Sequence, residues 1–295
     1  MDIDQRIADL LGRTTLAEKA GMLFQTMIVV RSGDLSEPDS AFRTSSAEYM
    51  IKEQQLSHFN VIRAADEVRT LAEWQNWVQK LAASTRLGIP VTLSTDPRHH
   101  FTENVGTAAA AGAFSQWPET LGLAAIGSAE LVQRFGDMAR QEYLAVGLRL
   151  ALHPQVDLAT EPRWSRISGG FGEDADLTSE LVQAYIRGFQ GEQLGPESVS
   201  TMTKHFPGGG PQQDGEDPHF EYGREQVYPG GNFDYHLKPF RAAIAAGGSQ
   251  IMPYYGMPIG TRYNEVGFAF NEGIITDLLR GELGFDGIVC TDWGW

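Results

Sequence analysis

The sequence is short of sulfur, of positive charge and of long apolar runs. Its one cysteine, Cys290, can form no internal disulfide, so nothing in the chain points to an oxidising compartment. Lys and Arg number 23 against 38 Asp and Glu, a net charge of −15. That balance excludes nucleic acid and an anionic membrane surface as natural partners, because both are held by clustered basic residues. A run of 18 or more apolar residues is absent, which excludes a spanning helix. The opening MDIDQRIADLLGRTT begins with acids and reads as a helix, not as a basic stretch before an apolar core. The expectation is therefore a cytoplasmic protein, with secretion left open should a leader have been removed. Neither GxGxxG nor GxxxxGK(S/T) follows a candidate strand, which argues against a nucleotide site. The His residues form no ligand-like cluster, so no metal and no cofactor are expected.

What is present is a repeat of secondary-structure pattern. The chain has 295 residues at 42% hydrophobic composition, enough core for one large domain or two small ones. Thr15-Leu-Ala-Glu18 predicts a capping box opening a helix to about Phe24, with a strand at Met27–Val30. Residues 66–86 place Val68, Leu71, Trp74, Val78 and Leu81 at helical spacing, before a strand ending at Thr95. Helices near 129–146, 178–192, 236–246 and 272–282 lead in turn to strands at 150–153, 199–203, 250–254 and 287–291. Gly147, Gly247 or Gly248, and Gly284 stand where helix C-caps belong. With a weaker strand at Phe59–Ile62, about seven βα units follow one another, which implies an α/β fold with a parallel sheet. The length suits a (β/α)8 TIM-type barrel occupying residues 1–295 and stopping before its last βα unit; an open doubly wound sheet is the alternative. Two long loops, 31–57 and 207–235, interrupt the pattern, and their length suggests function or mobility.

In such a barrel the chemistry lies at the C-terminal strand ends. Here those ends carry Asp96 with Arg98 and His99, then Arg163, Trp164 and Arg166, then Lys204-His205, Tyr254-Tyr255, and Asp292-Trp293. Any one of them reads equally as a helix cap, a loop hydrogen-bonder or a core aromatic. Five together describe a pocket for something rich in hydroxyls, with carboxylates and Lys/His for the OH groups and Trp for the face of a sugar ring.

The stretches KHFPGGG (204–210), PRWSRISGGFGED (162–174) and LLRGELGFDGIVCTDW (278–293), with HLKPFRAAIAAG (236–247), resemble glycoside hydrolase family 3 in order along the whole chain. That family comprises β-glucosidases, related exo-acting β-glycosidases and N-acetyl-β-hexosaminidases. The resemblance implies that Asp292 is the nucleophile of a retaining β-glucosidase acting on a β-linked oligosaccharide or glycoside. It implies that Lys204, His205, Asp96 and Arg166 hold sugar hydroxyls, that Tyr255 lies near the nucleophile, and that Trp293 lines the sugar pocket. Two positions depart from the family pattern: Gly169 stands where Glu is common, and Asp96-Pro-Arg-His99 is followed by His100 instead of Gly.

Retention needs a second carboxyl group about 5–5.5 Å from the nucleophile. The resemblance places that acid in a second, C-terminal domain, so the expectation is a completing domain or chain past residue 295, and a homo-oligomer is left open. A branch of the family, the N-acetyl-β-glucosaminidases, instead uses an Asp-His dyad in the loop after KHFPG; Asp217 and His219 are candidates for a displaced one. A non-catalytic sugar-binding chain is the third reading.

Overall fold

The computed structural model describes residues 2–30, 35–63, 68–104 and 108–293, and they form two compact units. The first comprises Met1–Arg98, Glu103–Ala113 and Ala145–Arg149; the second comprises His99–Thr102, Phe114–Leu144 and Leu150–Trp295.

The first unit opens on α1 (Ile3–Arg13) and α2 (Leu16–Met22). The expected capping box is formed: Thr15 Oγ1 accepts from Glu18 N at 3.2 Å, and Glu18 Oε2 accepts from Thr15 N at 2.7 Å. Strands β1 (Gln25–Val29), β2 (His58–Arg63) and β3 (Thr92–Thr95) pair in parallel, with Gln25 beside His58 and His58 beside Thr92. Between them run α3 (Ala47–Lys52) and α4 (Val68–Ala83). The predicted apolar stripe of α4 is real where it matters, since Leu71, Trp74, Val78 and Ala82 are buried, although Val68 is 43% exposed. The expected start of that helix at residues 66 and 67 lies outside the described residues. The segment read as a loop over 31–57 holds α3, capped by Ser46 Oγ on Tyr49 N at 3.2 Å; its residues 31–34 lie outside the described set. Six residues are too few for the periodicity on which the helical reading depends.

Glu18 does more than cap. Arg86 Nε donates to its Oε1 at 3.0 Å, Arg86 also bridges to Oε2, and Arg86 reaches the Arg13 carbonyl at 2.8 Å. A cavity of about 180 Å³ lined by Glu18, Met22, Ile51, Leu56, Leu87 and Val91 adjoins this pair, at the strand ends opposite Asp96. The hydrogen bonds from Arg86 and from Thr15 lower the Glu18 carboxyl from 4.5 to about 2. A carboxylate with a depressed folded-state pKa stabilises above its ordinary value, and that contribution fades as the pH falls toward the depressed one. Glu18→Gln should therefore melt below the parent at pH 7, and the two melting curves should converge as the pH is lowered from 4.5 to about 2.

The second unit carries four parallel strands: β4 (Leu150–Ala151), β5 (Ser200–Phe206), β7 (Gln250–Pro253) and β9 (Ile288–Val289). A separate parallel pair joins β6 (Glu225–Val227) to β8 (Met257–Ile259). Flanking helices are α5 (Thr120–Ile126), α6 (Ala129–Ala145), α7 (Ala175–Gln190), α8 (Phe233–Ala245) and a π-wound helix over Gly273–Glu282. Helices α6 and α7 touch backbone to backbone, for a Cβ on Gly136 would lie 3.0 Å from the Gly188 Cα. Among the described residues no helix is long and apolar enough to cross a membrane, and no group of three or more metal-ligating side chains occurs.

Several expectations need correction here. The strand expected over 150–153 is only two residues long, because Pro154 has no N–H to give the ladder. The chain nevertheless stays beside β5: Lys204 N donates to Pro154 O at 3.0 Å and Val156 N to Lys204 O at 2.8 Å. The strand expected over 287–291 is also two residues, with Ile288 54% exposed, since among the described residues β9 has only β7 for a partner. The loop 207–235, expected to be functional or mobile, is crossed by side-chain hydrogen bonds. Gln212 Nε2 donates to the carbonyls of Gly223 and Glu225, while Gln212 Oε1 accepts from Gln226 Nε2 at 2.7 Å and Tyr254 OH at 3.1 Å. Those three side chains, of Gln212, Gln226 and Tyr254, carry no periodic signal, which is why the segment read as open loop.

Candidate active site

The KHFPGGG stretch ends β5, and its conformation is set by what it wraps around. The register against β7 slips between Lys204 and Phe206, a bulge that breaks strict alternation and lets Lys204 and His205 both be buried. The Lys204–His205 and Phe206–Pro207 peptide bonds are cis. The turn then folds over Asp157 and Leu158. Asp157 Oδ1 accepts from His205 N at 3.1 Å and Gly209 N at 2.6 Å, and its Oδ2 meets His205 Nδ1 at 2.7 Å. Glycine is required at 209 and 210 by close approach: a Cβ on Gly209 would sit 2.9 Å from the Tyr254 ring, and one on Gly210 1.5 Å from the Leu158 carbonyl oxygen.

Burial works to raise the Asp157 pKa, yet the His205 ring and the two backbone donors hold it below the ordinary carboxylate value. Burial, seconded by the charge of Arg166, lowers His205 to about 4 against the pull of Asp157. The pair is therefore a carboxylate beside a neutral imidazole at neutral pH.

Asp292 follows β9 and is buried, with Thr291 exposed and Trp293 half-buried on either side. Its Oδ1 accepts from Trp293 N at 3.0 Å. No hydrogen bond of normal length reaches its buried Oδ2 from any described residue; His205 Nε2 stands 3.9 Å away. Burial, then the charge of Asp292, pushes the Tyr255 phenol well above its ordinary value, which places Tyr255 facing this carboxylate. The Trp293 ring packs partly on the cluster of Leu150, Leu152, Met202 and Met252 beneath the site. A buried carboxylate with one oxygen unengaged is an arrangement that favours nucleophilic attack over salt bridging.

Around this centre the structure gathers most of the residues expected from the sequence. Arg166 is half-buried, and its charge reaches His205, Tyr255 and Asp217. Asp217 and His219 form a dyad: His219 Nδ1 lies 2.6 Å and His219 N 3.0 Å from Asp217 Oδ1. The His219 ring packs against Tyr255 with centroids 4.7 Å apart. Asp96 belongs to the first unit, at the end of β3, where its Oδ2 accepts from Asn60 Nδ2 at 3.0 Å. Arg98, read as a strand-end candidate, is a buried strut that donates to Thr95 Oγ1 at 2.6 Å and Val61 O at 2.7 Å. His99 likewise is taken up structurally, by Glu142 at 2.9 Å and by the rings of Phe114, Phe135 and Tyr143.

A family model described as the glycosyl hydrolase family 3 N terminal domain matches residues 15–295. The chain belongs to glycoside hydrolase family 3. It is 60% identical over 293 residues to "Beta-glucosidase C" of Emericella nidulans, a match covering 99% of this chain and 47% of that protein. It is 44% identical to the "Periplasmic beta-glucosidase/beta-xylosidase" of Dickeya chrysanthemi, covering 98% of this chain and 45% of that one. Among solved structures it resembles a glycoside hydrolase family 3 β-N-acetylglucosaminidase from Paenibacillus sp. str. FPU-7, with TM-score 0.74 and 26% identity over 95% of this chain and 49% of that one. The chain thus spans about half the length of the curated relatives it matches.

Against that family pattern the Gly169 departure has a physical basis. Gln155 Oε1 would lie 2.8 Å from a Cβ at 169, and Gln155 Nε2 donates to the Arg166 carbonyl at 2.9 Å. Gln155 occupies the space a larger residue 169 would need, and it fixes the backbone that bears Arg166. Gln155 and Asp157 were both missed by reasoning from strand ends, because HPQVDL precedes the expected polar tip. The available signal was a lone acid inside an apolar run, which has to find donors once it is buried.

Proposed function

We propose that this chain carries the nucleophile of a retaining, exo-acting β-glycosidase, of β-glucosidase type, that hydrolyses terminal non-reducing β-linked sugars. The observation that carries the reading is the buried Asp292 carboxylate with its unengaged Oδ2, 3.9 Å from the neutral imidazole of His205. Asp292 attacks the anomeric carbon; the bond from that carbon to the leaving oxygen breaks, and the leaving oxygen takes a proton from the acid/base. Water then attacks the glycosyl-aspartate, giving its proton back to the acid/base and restoring the original anomeric configuration. Lys204, His205 and Arg166 hold the sugar hydroxyls, with Tyr255 and Trp293 bounding the ring. The parallel strands belong, on this reading, to a (β/α)8 barrel, whose strand ends are where such residues collect. The names of the two relatives, β-glucosidase and β-glucosidase/β-xylosidase, support a glucoside or xyloside substrate without a 2-acetamido group.

The acid/base belongs to the part of the protein over which the longer relatives extend. A second reading keeps it in this chain, as the Asp217–His219 dyad of an N-acetyl-β-glucosaminidase; the contact of His219 with Tyr255 favours it. Inactivating the whole protein with a 2-fluoro aryl β-glucoside and mapping the labelled peptide tests the main reading. The label should fall on the peptide holding Asp292, and a label elsewhere overturns the assignment. Turnover of an aryl N-acetyl-β-glucosaminide in preference to the glucoside would move the reading to the dyad.

A further inference from the structure

His205 can serve a nucleophile in opposite ways, according to which ring nitrogen carries its proton. A proton on Nε2 would be donated toward Asp292 and would engage the oxygen that has to attack. A proton on Nδ1 leaves Nε2 with a lone pair, able to accept from a sugar hydroxyl and unable to engage the carboxylate. The geometry points to Asp157 as the positioning residue that makes this choice: its carboxylate receives the Nδ1 proton of His205 and thereby holds Nε2, 3.9 Å from Asp292 Oδ2, as an acceptor. The inference rests on Asp292 being the nucleophile.

Three observations converge on it. Asp157 is fully buried, and the three donors charted for it, His205 Nδ1, His205 N and Gly209 N, all come from the turn that carries His205. Its Oδ1 takes both backbone donors, so Oδ2 is left for the ring alone, and a carboxylate can only accept there. The His205 ring also packs against Tyr254, with centroids 5.4 Å apart. Asp157 thus does two separable things. Through Oδ1 it knits the turn, and through Oδ2 it sets the tautomer.

Asparagine separates the two. In Asp157→Asn the amide oxygen can keep both backbone donors, while the amide NH2 faces Nδ1 and can only donate to it. The proton is then driven to Nε2, toward Asp292. The whole protein carrying Asp157→Asn should melt close to the parent and bind substrate with KM within a few-fold. Its kcat should fall by about 10³–10⁴-fold, the scale seen when a buried aspartate that orients a histidine is made an amide. The direct readout is the 15N spectrum of the imidazoles, with the His205 signals assigned by their loss in His205→Gln. The parent should show a protonated Nδ1 and a bare Nε2, and the variant the reverse. A parent with the proton on Nε2 overturns the inference whatever the kinetics, and so does a folded Asp157→Asn with parental kcat. Should the variant fail to fold, the parental spectrum still decides. A 2-fluoro label away from Asp292 together with a protonated Nδ1 would sink the nucleophile assignment and leave the tautomer standing.

Discussion

Asp292→Asn is expected to lower kcat on an aryl β-glucoside by about 10⁴-fold or more, while its melting temperature stays level with the parent or rises. The two halves of that expectation come from the same atom. Oδ2 of Asp292 is buried and receives no hydrogen bond of normal length from any described residue; the neutral His205 imidazole stands 3.9 Å away, and the Tyr255 phenol faces the carboxylate. A carboxylate so placed is poorly solvated, which preserves its nucleophilicity and costs folding free energy. An amide of the same shape removes the charge, keeps Oδ1 for the Trp293 N–H and loses the attacking oxygen anion. Kinetics and thermal melting on the same preparation check it, with glucose binding by calorimetry as the third measurement. Retention of kcat within tenfold would rule out Asp292 as nucleophile. A variant that loses glucose binding with no turnover to lose would favour the sugar-binding reading.

Much of the fold was legible because the repeat of apolar strand and amphipathic helix is long and periodic. The spacing of Leu71, Trp74 and Val78 and the Thr15–Glu18 box translate directly into a buried stripe and a cap. The strand ends told where to look, and of the residues they nominated in the second unit, Arg166, His205, Tyr255 and Trp293 are drawn around the Asp292 carboxylate. What stayed hidden has two physical causes. Short elements such as β6 and β8 have three residues each, too few to show a period, and both lie among turn-forming residues. Interior polar groups have no sequence signature of their own: Asp157, Gln155 and Gln212 matter through the donors and acceptors that tertiary folding brings to them. Arg98 and His99 err in the other direction. They sit at a strand end like functional residues, and the core takes both for hydrogen bonding and packing.

The glycines of KHFPGGG carry the other large effect. A Cβ at residue 210 would lie 1.5 Å from the Leu158 carbonyl oxygen and 2.6 Å from its carbon, both backbone atoms that no rotamer change can move. Gly210→Ala must therefore push the turn away from residues 157 and 158, and the displacement acts on the hydrogen bonds that tie Asp157 to His205 and Gly209. The expected destabilisation is about 3 kcal/mol or more, as for overpacking against an unyielding wall. Activity should fall with it, since His205 and Asp292 would lose their alignment even in the molecules that stay folded. Gly12→Ala is the matched control: Gly12 lies inside α1 with nothing within 4 Å of an added Cβ, and alanine there should stabilise by about 0.5–1 kcal/mol. Differential scanning calorimetry on the two variants should move melting temperatures in opposite directions. A Gly210→Ala protein that melts with the parent would mean the turn has slack, and a turn with slack could not hold His205 to Asp157 as closely as the 2.7 Å hydrogen bond requires.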